Sequence, residues 1–467
     1  MVFSSTAFLF LFLPLTPLTI LGYYNPFLKS RNFRNRFLLF MSIVFYALGE
    51  PVFVFLMLLS IFVGWLAARK LEAAVDVKKR KRILVLAVFF HVGLLFIFKY
   101  LTFTMQQLGL LLHKDFSMIS LALPIGISFF TFQLLSYLFD VYRSRAKAQK
   151  SVLNVGLYIA LFPQLIAGPI VRYEWIEKEI MERRENWNDF ADGMMRFIYG
   201  LAKKVLIANY VAQLADNIFL FDGASTVATA WLGALAYTLQ IYFDFSAYSD
   251  MAIGLGMMFG FHFPENFNYP YISRSATEFW RRWHMTLGNW FRDYVYIPLG
   301  GNRVPKSCWV LNLFIVWALT GIWHGANWTF LTWGLFYFVL LLVERLTGFA
   351  EKLSVLSHLY ALAAIMIGWV IFRSPDLAFA ANYIASMFGQ APAGLCDSWF
   401  WYYLKGSWMV LVPALLLSLP VYPWLCKTCG KSVVWKSAEP VWALALFLWT
   451  LLMTISSGYN PFIYLNF

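Results

Sequence analysis

The chain has 467 residues, 61% of them hydrophobic and 13% charged, with a formal net charge of +13 and a mean hydropathy of +0.64. Soluble domains average about 45–50% apolar and roughly 25% charged residues, so a soluble domain with one anchor is excluded and an all-α polytopic membrane protein is expected. The positive charge does not call for nucleic acid, because the basic residues lie in short loops beside apolar segments, the positive-inside pattern of membrane proteins.

A membrane span takes about 20 mostly apolar residues. The run Phe3 to Tyr24 has no basic n-region and no small-residue cleavage site, so it reads as a first transmembrane helix and not as a removed signal peptide. Segments 37–49 and 51–68 are split by Gly49-Glu50-Pro51 and read as a pair of short helices. Spans follow at 83–102 and 119–142. Stretch 152–171 is broken by Pro163 and Gly168-Pro169 and reads as a segment that dips into the bilayer and returns. Such breaks are tolerated where the protein or a wet cavity satisfies the freed backbone groups. Further spans are expected at 196–220, 227–245, 309–322, 328–346, 357–373, 407–425 and 440–457. No internal repeat and no linker divides the chain, so one integral-membrane domain over 1–467 is expected.

Charge sets an expected orientation. Lys29, Arg31, Arg34 and Arg36 follow the first span; Arg69, Lys70 and Lys78 to Arg82 follow the short pair; Arg143, Arg145, Lys147 and Lys150 follow 119–142. Placing all three clusters in the cytoplasm requires the N-terminus outside and the short pair to cross twice. Arg345 and Lys352, and Lys427, Lys431 and Lys436, are cytoplasmic if 373–406 lies outside, and the last ten residues then lie outside as well. The cysteines Cys308, Cys396, Cys426 and Cys429 make no disulfide framework. Cys426-Lys-Thr-Cys429 has metal-ligand spacing but no second pair, so no metal site is expected.

Two histidines have settings that bear on chemistry. His324 lies in GIWHGANW between glycines and tryptophans, and His284 lies in EFWRRWHMTLGNWFRDYVYIPLGGNR. An ionisable side chain in a membrane segment is expensive and usually faces a bundle interior or a cavity. Histidine, with an ordinary pKa near 6.5, is neutral and basic at physiological pH, as a general base requires. A neutral ring bonded to a backbone carbonyl is the competing structural reading for both. His91, His113, His262 and His358 have no comparable setting. Asp244 and Asp250, in YFDFSAYSDMAIG, need partners if buried, and Arg281, Arg282 and Arg292 are the expected ones, forming structural ion pairs that shape a cavity. Trp280, Trp283, Trp290 and Phe291 beside those arginines fit either an interfacial aromatic belt or the wall of a ligand tunnel. There is no G-x-S-x-G elbow, no phosphate-binding G-x-x-x-x-G-K-[ST], no G-x-G-x-x-G after a strand and no H-E-x-x-H. A histidine base acting on two bound substrates is the simplest remaining chemistry.

These motifs, in order, resemble a known family. MVFSS, LPIGISFFTFQLLSYLFDVYR, FPQLIAGPIVRY, YFDFSAYSDMAIGLG, FPENFNYPYIS, EFWRRWHMTLGNWFRDYVYIPLGGNR and GIWHGANWTF, with the closing FIYLNF, are similar to the membrane-bound O-acyltransferases, in particular the bacterial alginate and peptidoglycan O-acetyltransferase branch. The match runs from residue 1 to about 345, while 350–455 agree mainly in hydropathy. The resemblance implies a ring of tilted helices around a thin central region, with an outer funnel and a donor tunnel from the cytoplasm. It carries the family's catalytic histidine onto His324 and a second motif histidine onto His284, with Arg281, Arg282, Trp283, Trp323 and Asn327 as donor or tunnel candidates. It implies transfer of an acetyl group, expected to come from acetyl-CoA, to a cell-envelope polysaccharide from the bacterial inner membrane. It further implies no resident cofactor, and an extracytoplasmic SGNH-type esterase-like partner. Alternatives are D-alanyl transfer to teichoic acid, within the same superfamily, and a transporter, suggested by broken helices and intramembrane charge. The closing aromatic segment 458–467 resembles a terminal motif whose tyrosine accepts the acyl group, which maps onto Tyr464; packing against the outer wall or a partner is the plainer expectation.

Overall fold

Glycine, proline and capping residues set the helix ends along the chain. The computed structural model describes residues 3–12, 30–116, 121–166, 168–221, 223, 225–429 and 432–463. It is helical, with no strand among the described residues. Among those residues seven helices are long and apolar enough to cross a membrane: Phe53–Ala73, Val77–Leu112, Lys306–His324, Trp328–Thr347, Leu356–Arg373, Ser398–Leu417 and Ser437–Ser456. The chain is a multi-pass membrane protein.

Several spans fall where hydropathy places them, and some do not. Lys306–His324, Trp328–Thr347 and Leu356–Arg373 match the expected segments closely. The expected 83–102 is the middle of a continuous run over Val77–Leu112, 36 residues long. At about 1.5 Å per residue it exceeds the roughly 30 Å hydrocarbon layer. Its first turn, capped by the Asp76 carboxylate, carries Lys78 to Arg82. The expected 227–245 extends to Val227–Met258. The expected 407–425 is corrected to Ser398–Leu417, followed by a separate Val421–Cys429 helix. There the aromatic run SWFWYYLKGSW is helical from the Asp397 cap, whose carboxylate accepts the Phe400 N–H at 3.0 Å. Pro413 sits inside this helix and does not end it.

The chain packs as two compact units, Met1–Phe197 with Ser249–Pro264, and Ile198–Tyr248 with Glu265–Phe467. In the first, Arg31 and Arg34 of the expected cytoplasmic cluster converge on the buried Glu185, Arg34 at 2.6 Å, joined by Arg183 at 3.4 Å. Those cations therefore have a structural partner besides any topological role. Asp250 pairs with Arg196 at 2.9 Å. This corrects the expected partnership with Arg281, Arg282 or Arg292.

The second unit holds an aromatic core. Trp280, Trp317, Trp333 and Tyr337 meet at ring separations of 4.9–6.4 Å, and Trp283 and Trp333 reach Trp369 at 4.9 and 6.0 Å. Lipid supplies little hydrophobic drive between helices, so close packing must hold them. Aromatic pairs add about 0.5–1.5 kcal/mol each beyond area burial. Small residues bring two helices close: a Cβ on Gly321 would lie 2.5 Å from the Phe330 carbonyl oxygen and 3.2 Å from the Leu331 Cα.

Candidate active site

His324 is the last residue of the Lys306–His324 helix, and Gly325 and Ala326 turn the chain into Asn327 and the next helix. A Cβ on Gly325 would run into the Phe330 ring, so glycine here lets that ring pack directly on the turn. Asn327 fixes the turn twice over: its Oδ1 accepts the Thr329 N–H at 3.2 Å, and its Nδ2 donates to the Pro375 carbonyl at 2.8 Å. The His324 ring is buried, 7% exposed, and three aromatic rings stand edge-on around it. Trp323 lies at 4.8 Å, Trp333 at 4.9 Å and Phe372 at 5.1 Å. Packing of this kind locks the imidazole plane and keeps water from it.

His284 is built differently. It precedes the Met285–Phe291 helix with φ 44° and ψ 51°, the left-handed region. A non-glycine residue held there stores about 1–3 kcal/mol of strain and needs its surroundings to hold it. Asn266 does so. Its Oδ1 accepts the Thr286 N–H at 3.2 Å and the Thr286 hydroxyl at 2.8 Å, and it faces His284 Nδ1 at 3.2 Å. An amide oxygen only accepts, so His284 Nδ1 carries the proton in this assignment. Burial pushes the imidazole down to about 3, so the ring is neutral at physiological pH. Trp323 links the two histidines, its ring 4.8 Å from His324 and 6.2 Å from His284.

The segment before His284 is positioned by residues that hydropathy alone does not single out. Ser275 caps the Ala276–Arg282 helix by accepting the Glu278 N–H at 3.0 Å. The buried Glu344, reaching from the Trp328–Thr347 helix, accepts the Ala276 and Thr277 N–H groups at 2.7 and 2.9 Å. A carboxylate at a helix N-terminus neutralises orphan N–H groups and suits the helix dipole. Trp283 then packs at 5.1 Å on Phe267 and 4.9 Å on Trp369.

The two arginines diverge. Arg282 is held by Glu278 at 2.9 Å and donates to the Asn268 carbonyl at 3.3 Å. Arg281 is exposed and has no carboxylate partner among the described residues. Arg292 pairs with its neighbour Asp293 at 2.7 Å. Asp244 belongs to this unit and is buried against Lys204 at 2.6 Å, a partner the sequence reading missed. The signal was present, since Lys203-Lys204 interrupts an otherwise apolar segment. Tyr464 lies outside the described residues.

A buried imidazole, His324, thus stands at a tight helix–helix turn walled by tryptophans, and a second one, His284, which burial keeps neutral, lies across the Trp323 indole. The chain belongs to the membrane-bound O-acyltransferase family, whose model matches residues 57–373. It is 44% identical over 405 residues to the probable alginate O-acetylase AlgI of Azotobacter vinelandii, covering 85% of this chain and 80% of that protein. It is 34% identical over 433 residues to the peptidoglycan O-acetyltransferase of Helicobacter pylori, covering 85% and 81%. The teichoic acid D-alanyltransferase of Bacillus subtilis is more distant, 28% identical over 243 residues, covering 49% of this chain and 60% of that protein. The protein is an acyltransferase.

Proposed function

We propose that the protein transfers an acetyl group from cytosolic acetyl-CoA across a bacterial inner membrane for O-acetylation of an extracytoplasmic polysaccharide of the alginate or peptidoglycan kind. The observation that carries the chemistry is the burial of His324 among Trp323, Trp333 and Phe372. An acceptor hydroxyl attacks the thioester carbonyl as a ring nitrogen of His324 takes its proton. The tetrahedral intermediate then collapses, the carbon–sulfur bond breaks, and the proton leaves with the CoA thiol. His284, neutral and fixed through Nδ1 on Asn266, shapes the wall beyond Trp323. Arg281, exposed and without a carboxylate partner among the described residues, is the cation suited to donor phosphates.

The acceptor in this reading is the phenol of Tyr464. With an ordinary pKa of about 10, a phenol leaves more readily than a sugar hydroxyl, so an aryl ester keeps much of the thioester's transfer potential. An extracytoplasmic SGNH-type esterase-like partner then takes the acetyl group to sugar hydroxyls, and both ends of the chain lie outside. The D-alanyl alternative has the Bacillus subtilis relative in its favour, but that similarity is weaker and covers half of this chain. Labelled acetyl-CoA supplied to inside-out vesicles tests the reading. Label should appear on the protein, and Tyr464→Phe should abolish it while the protein stays folded. Label retained by Tyr464→Phe would sink the relay, and labelling by a D-alanyl carrier instead would sink the acetyl donor.

A further inference from the structure

We propose that Lys204 and Asp244 are positioning residues that grip the main chain of the closing segment and set its register, a role that rests on the relay reading above for its purpose. The two side chains form an ion pair at 2.6 Å and are each 2% exposed. A buried ion pair is often no more stable than apolar residues of the same volume, so stability alone does not explain its presence. Each member of the pair also makes a hydrogen bond to the same segment. Lys204 Nζ donates to the Pro461 carbonyl, and Asp244 Oδ2 accepts the Ile463 N–H at 2.9 Å. The cation takes a carbonyl and the anion takes an N–H two residues further on. That pairing distinguishes one chain direction and one register, whatever side chains the segment carries.

Side chains then complete the dock. Phe462 and Ile463 are buried, Phe462 stacks on Tyr248 at 5.1 Å, and Lys204 lies 5.9 Å from the Phe462 ring centre. Lys204 itself sits in a π-helical turn, Lys203–Ala208, set within a longer helical run. Such turns are frequent at functional sites because the extra residue re-aims side chains. A second anchor stands earlier in the segment: the Tyr459 hydroxyl donates to Asp216, which pairs with Arg373 at 2.5 Å. Arg373 directly follows Phe372, the residue packed on His324. The segment is thus tied, through one helix end, to the wall of the candidate base.

Amide hydrogen exchange on the detergent-solubilised full chain tests the grip, because it reads the segment directly and does not depend on acyl transfer. The double variant Lys204→Met/Asp244→Leu replaces the pair with apolar side chains, so the core helices 306–347 should exchange as slowly as in the wild type. A lost bond to a charged group should raise exchange over 458–463 at least about tenfold. Unchanged exchange over 458–463 would overturn the proposal, and faster exchange everywhere would reduce the pair to a fold element. Should the double variant not fold, Ile463→Pro and Ile463→Ala keep the test sharp. Both remove the side chain, but only proline removes the N–H that Asp244 accepts, so proline should loosen residues 458–462 further; equal exchange in the two overturns the grip. If exchange rises while acetyl transfer stays normal, the grip stands and the relay through the segment falls.

Discussion

His324 meets Phe372 edge-on at 5.1 Å, and the residue after Phe372 is tied to Asp216 through Arg373 at 2.5 Å. The candidate base is therefore held from the Leu356–Arg373 helix as well as from its own helix and that of Trp333. Phe372→Ala should leave the imidazole free to tilt. Because a misplacement of about 1 Å can cost 10²-fold in rate, turnover should fall by tenfold or more with donor KM little changed. Steady-state kinetics on purified protein checks this; an unaltered turnover would show that His324 needs no support from that side.

His324→Ala should reduce acyl transfer by about 10²–10⁴-fold, the usual worth of a general base. The variant should insert and melt near the wild type, since the surrounding rings still pack on one another. Near-normal transfer would move the base elsewhere.

Donor binding separates the two arginines. Arg281→Glu should raise donor KM about tenfold or more, as expected for loss of a charge-assisted hydrogen bond to phosphate, without lowering the melting temperature. Arg282→Glu should instead lower the melting temperature, because it sets two carboxylates against each other where Arg282 now meets Glu278 at 2.9 Å. Equal effects of the two on KM would remove the distinction.

The legible parts of this chain were the local ones. GIWHGANW singled out His324 by its glycine and tryptophan neighbours between two expected spans, and the structure puts His324 at the turn between the two helices. Spans from 306 to 373 were legible because apolar runs end at glycine or at charge. The partners of Asp244 and Asp250 were not legible, since Lys204 and Arg196 stand 40 and 54 residues before them and the arginines from 281 to 292 lie at comparable distances after them, so spacing did not discriminate. Glu344 capping the Ala276–Arg282 helix is another long-range pairing that periodicity does not reveal. The Ser398–Leu417 span was misplaced for a different reason: its aromatic, polar-tipped first half scores low in hydropathy, which weights the leucine-rich stretch after it.

His284 should leave an acid signature on stability. Its folded pKa is lowered by burial to about 3, against about 6.5 in the unfolded chain. Between those values the unfolded chain binds the extra proton, so stability is full above about pH 6.5 and declines as pH falls toward about 3. His284→Gln, which cannot titrate, should flatten that part of the melting curve while Asn266 retains a side-chain donor to face. A variant whose melting temperature falls with acid as steeply as the wild type would assign the acid sensitivity to other groups.

Gly321→Ala offers the most direct test of how helix spacing sets the site. The added Cβ would sit 2.5 Å from the Phe330 carbonyl oxygen and 3.2 Å from the Leu331 Cα, both main-chain atoms that cannot rotate aside. The Lys306–His324 and Trp328–Thr347 helices must then part, and His324 lies one turn beyond the point of contact. Overpacking of this kind typically costs about 1–3 kcal/mol, so the melting temperature should drop, and turnover should drop further than stability alone accounts for because the imidazole shifts against Trp333. Gly93→Ala is the control, since a Cβ there meets nothing within 4 Å. If both alanine variants keep full turnover, close approach of these two helices is not what positions the base.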